Sequence, residues 1–296
     1  MIDGKERKIL NMERIINNSR YVGGIVLKIV ITMLVVIILR TLVFASFKIP
    51  SLSMKPTLLS GDFILVNKLV VGPRIDFLGN KRNGEPIRLA GYGTIKRNSV
   101  LVFNDPYYRS PSREIVQNWN VYYVKRCVGT PGDTLHIQDG NYYIDGRLNT
   151  LANKFHIRDL NRALYMSPRE YAPKMFKALE WTIDNFGPIY IPQKGDIITL
   201  DTLNIYLYRP LIEYETGKKL VKRNGAFSLD GQACKLYKFK LNYYFMAGDL
   251  ATDSKDSRYW GLLPEDHIVG KVAYIWKSRD PSTDAYRWER FFKTVE

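Results

Sequence analysis

The chain has 296 residues, 46% hydrophobic and 13% aromatic, enough to bury a sizeable core in one large domain or two smaller ones. A net charge of +15 raises nucleic acid and anionic lipid as candidate partners. No helix-turn-helix, zinc-finger or RNA-recognition signature occurs and the basic residues are spread along the chain, so membrane lipid is expected as a partner and nucleic acid is not.

Residues 1–21 carry five basic and three acidic side chains. Gly23 to Leu39 is then apolar except for Lys28 and Thr32, and Arg40 closes the run. Continued to Phe47 it makes 25 residues, long enough for a hydrocarbon core of about 30 Å. A transmembrane helix is expected over 22–41, with Lys28 and Arg40 snorkelling to opposite interfaces. The positive flank favours a cytoplasmic 1–21 and puts the rest of the chain outside. Val43-Phe44-Ala45 would suit a signal-peptide cut after Ala45. The run is longer than a signal core, however, and Arg40 lies close to the cut, so a retained anchor is expected. Leu42 to Phe47 should run extended at the membrane surface.

Ile49 to Leu58 reads I-P-S-L-S-M-K-P-T-L. Pro50 and Pro56 each fix φ at about −65° and remove a backbone donor. They bracket a rigid segment holding Ser51 and Ser53, where a flexible connector would use Gly and polar residues. Rigid backbone suits an aimed hydroxyl.

Next, S-G-D-F-I-L-V-N-K predicts a turn and a strand, 72–98 a long excursion, and Val100 to Phe103 a second strand. Val121 to Val128 is the strongest strand signal. Alternation puts Tyr123, Lys125 and Cys127 on one face and Tyr122, Val124, Arg126 and Val128 on the other. Asp139-Gly140 reads as a hairpin turn. Residues 147–188 break the β pattern; Ser167-Pro168-Arg169-Glu170 predicts a helix start, with Tyr171, Met175 and Leu179 on one face. From Ile189 to Phe245 short strands return, at I-I-T-L, N-I-Y-L-Y and L-Y-K-F-K-L.

A serine hydroxyl needs a base to become a nucleophile. His136, His156 and His267 lie in no triad pattern. Lys125, mid-strand among apolar residues, could serve if burial depressed its pKa. Gly248 to Glu265 reads G-D-L-A-T-D-S-K-D-S-R-Y-W-G-L-L-P-E, by itself a charged turn. Cys127 and Cys234 cannot make a four-ligand metal site, and two buried thiols are expected rather than a disulfide.

The three stretches I-P-S-L-S-M-K-P-T-L, Y-Y-V-K-R-C-V-G-T-P-G-D and G-D-L-A-T-D-S-K-D-S-R-Y-W-G resemble, in order and after a membrane span, the boxes of type I signal peptidases. These are membrane-bound serine/lysine endopeptidases. The resemblance implies a mainly β fold: an N-terminal transmembrane helix, an antiparallel β catalytic core (42–146 and 246–296) and a largely β inserted second domain (147–245) with a short helical stretch. It implies Ser53 as nucleophile, Lys125 as general base, and Ser51 with the Ser53 N–H as oxyanion hole. Ser254 would orient the lysine, with Asp256, Arg258, Gly248 and Asp249 supporting the loop. Phe47, Ile49, Met54, Tyr123 and Val124 would wall the substrate groove. Substrates would be exported preproteins, cut after small residues at −1 and −3 on the outer (periplasmic) face of the bacterial cytoplasmic membrane. No metal or other cofactor is implied.

This chain departs from the family pattern at Asn98-Ser99, where Gly-Asp usually opens the strand, at Leu250, where Asn is common, and at Ala251 and Thr252. These substitutions leave a non-catalytic relative that binds exported chains as an alternative. A basic lipid- or nucleic-acid-binding module would explain the charge but not the three stretches.

Overall fold

The computed structural model describes residues 4–75, 87–106, 114–116, 118–150, 152, 179–223 and 225–295, with 4–17 as backbone alone. Helix α1 (Gly4–Ile38) runs through a π-helical turn, Leu39–Val43, directly into strand β1 (Phe44–Lys48). Asn18–Val43 is long and apolar enough to cross a membrane, and none of its residues is buried. The helix begins well before the expected residue 22, because the Lys, Glu, Arg and Leu of the preceding segment are good helix formers. The extended stretch expected from Leu42 starts only at Phe44; Leu42 and Val43 complete the last helical turn.

Strand β2 (Asp62–Asn67) is followed by the paired short strands β3 (Arg74–Ile75) and β4 (Ile87–Arg88), then by β5 (Val100–Asn104) and β6 (Tyr122–Gly129). The hairpin of β7 (Thr134–Gln138) and β8 (Asn141–Ile144) turns at Asp139 and Gly140, both at positive φ, as its two-residue loop demands. After β9 (Arg147–Leu148) come β10 (Phe186–Tyr190), β11 (Ile197–Thr199) and helix α2 (Thr202–Thr216). Four short strands follow, β12 (Leu220–Arg223), β13 (Ala226–Leu229), β14 (Gln232–Ala233) and β15 (Leu236–Lys238). The chain closes with β16 (Tyr243–Ala247), the single turn α3 (Ser257–Trp260), β17 (Leu263–Pro264), the long β18 (Ile268–Ser278) and β19 (Lys293–Thr294).

The main sheet is antiparallel, ordered β1-β2-β18-β5-β6-β16-β17 with β19 on β18. Its centre is covered on both faces. Along β5, Val100 and Val102 pack with Ile49, Met54 and Val66, while Leu101 and Phe103 pack with Cys127, Met246 and Ile268 on the other side. A strand buried on both faces must be apolar throughout, hence V-L-V-F. A third cluster, including Leu135, Ile137 and Ile189, holds the smaller sheets against Leu207, Tyr208, Leu211 and Ile212 of α2.

The structure bears on several sequence expectations. N-I-Y-L-Y, expected as a strand, lies within α2: Asp201 caps the Asn204 N–H at 2.7 Å, Gly217 ends the helix at φ 65°, and Leu207, Tyr208, Leu211 and Ile212 form one buried stripe despite Pro210. The alternation of N-I-Y-L-Y is also compatible with half a helical stripe, and the cap decides. A small sheet, β10-β7-β8-β9, joins strands from both sides of residue 147, so an insertion boundary there runs through one sheet. The helix expected at 167–179 lies outside the described residues except for Leu179. Cys127 and Cys234 are both free thiols; Cys127 is buried and Cys234 only partly.

The last residues return to brace the segment that follows β1. Arg290 forks onto Asp62, Nε to Oδ1 at 3.0 Å and Nη2 to Oδ2 at 2.6 Å, and donates to the Thr57 carbonyl at 3.0 Å. Asp62 also accepts from Ser278 Oγ at 2.6 Å and the Leu59 N–H at 2.8 Å. Asp62→Ala strands a buried guanidinium, and a loss of about 3 kcal/mol or more is expected in denaturant unfolding; Asp62→Asn should lose less.

Candidate active site

The serine-bearing segment is held as a closed loop. Ile49 donates to the Asp62 carbonyl and accepts from Gly61, both at 2.8 Å, while Met54 and Leu58 are buried pins beneath it. Gly61 sits at φ 90°, and a Cβ there would lie 1.9 Å from the Arg279 carbonyl oxygen, so no other residue fits. This leaves Ser51 exposed and Ser53 almost buried, their hydroxyl oxygens 3.5 Å apart.

Strand β6 carries the amine expected to act as base. Lys125 is 3% exposed, and its Nζ donates to Ser53 Oγ at 2.5 Å, across 72 positions of sequence. Burial pulls its pKa down to about 8, against the attraction of Asp256 and assisted by the Arg258 charge. An amine that sheds its proton in that range can take one from a neighbouring hydroxyl. Neither described histidine reaches Ser53. His267 is buried against the Asn104 carbonyl and driven down to about 4 by desolvation, and His136 stacks on Tyr143 with ring centres 4.8 Å apart. His156 lies outside the described residues.

The loop after β16 closes the site. Asp256 is fully buried and takes a forked pair from Arg258, Nε to Oδ1 at 2.8 Å and Nη2 to Oδ2 at 2.7 Å. Its oxygens also accept from the Gly248 N–H at 3.0 Å and Ser254 Oγ at 2.7 Å. These bonds and the Arg258 charge hold the Asp256 carboxyl below its ordinary pKa, against burial, which raises it. Ser254, expected to face the lysine, gives its proton to Asp256, and the hydrogen bond of Lys125 goes to Ser53. Gly248 is required here: a Cβ would meet Ser254 Oγ at 2.2 Å and the Ser53 carbonyl oxygen at 2.6 Å.

A second buried pair stands beside the first. Arg126 forks onto Asp249, Nε to Oδ1 at 2.7 Å and Nη2 to Oδ2 at 2.9 Å, and Thr57 donates to the same carboxylate. Its remaining nitrogen donates to the Asn98 carbonyl at 2.6 Å. Sequence reasoning missed Arg126 and Thr57. The available signal was an arginine inside the strongest apolar strand, which must be paired if buried. Two departures from the family pattern are absorbed by backbone. Asn98 takes φ 67°, a left-handed position that Asn tolerates best after Gly. Leu250 uses its own N–H to hold the Ser53 carbonyl at 3.0 Å.

Beside this centre lie two strand edges. β1 pairs with β2 alone, and β16 pairs with β6 only as far as Arg126, so Tyr122–Lys125 carry no strand on that side among the described residues. Phe47, Ile49, Met54 and Val124 meet in one cluster, and the Phe47 ring packs at a tilt against Tyr122, 5.0 Å between ring centres, bringing the two edges together. Tyr123 departs from its expected place: strand alternation turns it to the other face, against Phe103 at 6.1 Å. Tyr122, not Tyr123, is the ring beside Phe47.

The family model described as signal peptidase, peptidase S26, matches residues 22–277. A signal peptidase I of Buchnera aphidicola subsp. Baizongia pistaciae is 30% identical over 250 residues, covering 82% of this chain and 73% of that one. A signal peptidase I of Pseudomonas fluorescens is 30% identical over 254 residues, covering 82% of this chain and 68% of that one. A solved signal peptidase I from Enterococcus faecalis aligns with 60% of this chain and 96% of its own at 18% identity, with a TM-score of 0.28, too loose a likeness for structural inference.

In Gly248→Ala the added methyl has to displace either Ser254 or the Ser53 carbonyl. The expected result is a folded protein destabilised by about 1–3 kcal/mol in denaturant unfolding.

Proposed function

This chain belongs to the signal peptidase family, peptidase S26, which makes it a serine endopeptidase acting on preproteins that carry signal peptides; on that premise we propose that Ser53 and Lys125 form its catalytic dyad. The observation that carries the proposal is the 2.5 Å bond between an amine stripped of water and a nearly buried hydroxyl.

Ser53 Oγ attacks the scissile carbonyl as Lys125 Nζ takes its proton. The oxyanion is received by the Ser53 N–H and the Ser51 hydroxyl, donors typically worth about 3 kcal/mol each. Collapse of the tetrahedral adduct transfers the proton from Lys125 to the leaving amine and leaves an acyl ester on Ser53. Lys125 then deprotonates water, which hydrolyses the ester, a variant of triad logic without histidine. Ser254, its own proton committed to Asp256, keeps its lone pairs for the amine while Lys125 carries the proton.

The substrate lies extended between β1 and the free edge of β6, bonded through its backbone, with alternate side chains in shallow spaces walled by Phe47, Ile49, Met54 and Val124. Such walls admit small residues at −1 and −3. The helix leading into β1 anchors the enzyme in the bacterial cytoplasmic membrane, its N-terminus in the cytoplasm and the groove at the outer surface, where anionic lipid attracts the basic chain. Residues 42–146 and 246–296 form the catalytic core and 147–245 the insertion, whose strands β9 and β10 complete the small sheet of β7 and β8.

Detergent-solubilised protein incubated with a preprotein provides the test. Ser53→Ala and Lys125→Ala should each lose cleavage by about a thousandfold or more, and undiminished activity in both would eliminate the dyad. The pH profile is a second check. Below the lowered pKa the amine is protonated and cannot act as base, so kcat/KM should rise with pH and level off above about 8. A flat profile from neutrality to about pH 10 would count against a lysine base.

A further inference from the structure

The last carbonyls of a helix have no partners within it. At the end of the membrane helix one residue supplies most of them. Lys68 Nζ donates to the carbonyls of Arg40 and Thr41, at 3.0 Å each, and the Lys68 N–H donates to that of Val43 at 2.9 Å. The Leu39 carbonyl accepts from the Phe44 N–H. A cation is the favoured cap at this end, where the helix dipole is negative.

The path from that cap to the nucleophile has no slack. Lys68 directly follows β2, whose Asn67 pairs with Phe44, and all five residues of β1 are in register with β2. Trp276 of β18 reaches over β2 to bond Ser46 Oγ at 2.8 Å. Ile49 is bonded through both its N–H and its carbonyl, and Pro50 follows. No glycine occurs between Arg40 and Ser60. At about 3.3 Å per extended residue, β1 is a rigid spacer some 17 Å long.

We propose that Lys68 locks the membrane helix to the catalytic sheet, making anchor and nucleophile one rigid body. The height of Ser53 above the bilayer is thereby fixed, and preproteins are selected by how far the scissile bond stands from the end of their own apolar segment. The inference rests on the endopeptidase reading above. Lys68 is a positioning residue; it touches neither Ser53 nor Lys125.

The test uses the full chain in vesicles of phosphatidylethanolamine and phosphatidylglycerol. Its substrates are a set of preproteins whose spacer between apolar segment and cleavage site grows by a few residues, and a soluble peptide with the same cleavage site. Wild type should show a kcat/KM that falls about tenfold or more across the set. Lys68→Met should flatten that dependence, while Lys68→Arg, which keeps a donor, should retain it. Soluble-peptide cleavage should be equal in all three. A spacer dependence as steep in Lys68→Met as in wild type would overturn the lock, as would a parallel loss on the soluble peptide, which marks a merely structural role. Wild type that cleaves neither substrate would instead overturn the endopeptidase reading, and the lock with it.

Discussion

Stripping water from one amine is the constraint on which the site depends. An ammonium in a low-dielectric interior is costly, and that cost lowers the pKa of Lys125 to about 8. A lone carboxylate nearby would undo this, because it would attract and stabilise the charged form. Asp256 is such a carboxylate, and Arg258 answers it with a forked pair whose charge opposes its pull on the amine. Asp249 is answered in the same way by Arg126. Two buried ion pairs thus stand beside one amine, and burial is the largest influence on its pKa. Each pair is further hydrogen-bonded to protein partners, Asn98 and Thr57 for one and Gly248, Ala251 and Ser254 for the other, as buried ions must be.

The fold supplies the dryness and the aim separately. Dryness comes from β5 and from β6 beyond Val124, where every residue is buried, and from the buried loop after β16. Aim comes from the segment between β1 and β2, which is pinned below by Met54 and Leu58, behind by Arg290, and beside the amine by the Leu250 N–H. These supports come from sequence positions far apart, so a change in the C-terminal turn can disturb Ser53.

Much of this was legible in the sequence. Ser53 and Lys125 stood out because each violates its surroundings, a serine fixed between prolines and a lysine in an apolar strand. The main strands showed by alternation, and the hairpin by Asp139-Gly140. What escaped was decided by tertiary contact. Arg126 and Thr57 belong to a network closed by a residue more than a hundred positions away. Tyr123 and Val124 were both expected beside Phe47, although alternation puts them on opposite faces of β6; Tyr122, on the face of Val124, is the ring that meets Phe47. Helix α2 was read as a strand because five residues cannot distinguish the two periods, and its Asp201 cap and Gly217 stop lie outside that window.

The unpaired edges of β1 and β6 have a consequence of another kind. A row of free backbone donors and acceptors is a template that cannot distinguish a visiting peptide from the edge of a second copy of the same protein. Here the template is short. Lys48, exposed at the end of β1, places a charge where a neighbouring sheet would have to dock, and Pro50 just beyond offers no N–H to continue a ladder. The same rigidity that presents the serine therefore also limits edge-to-edge polymerisation among copies crowded in one plane of lipid.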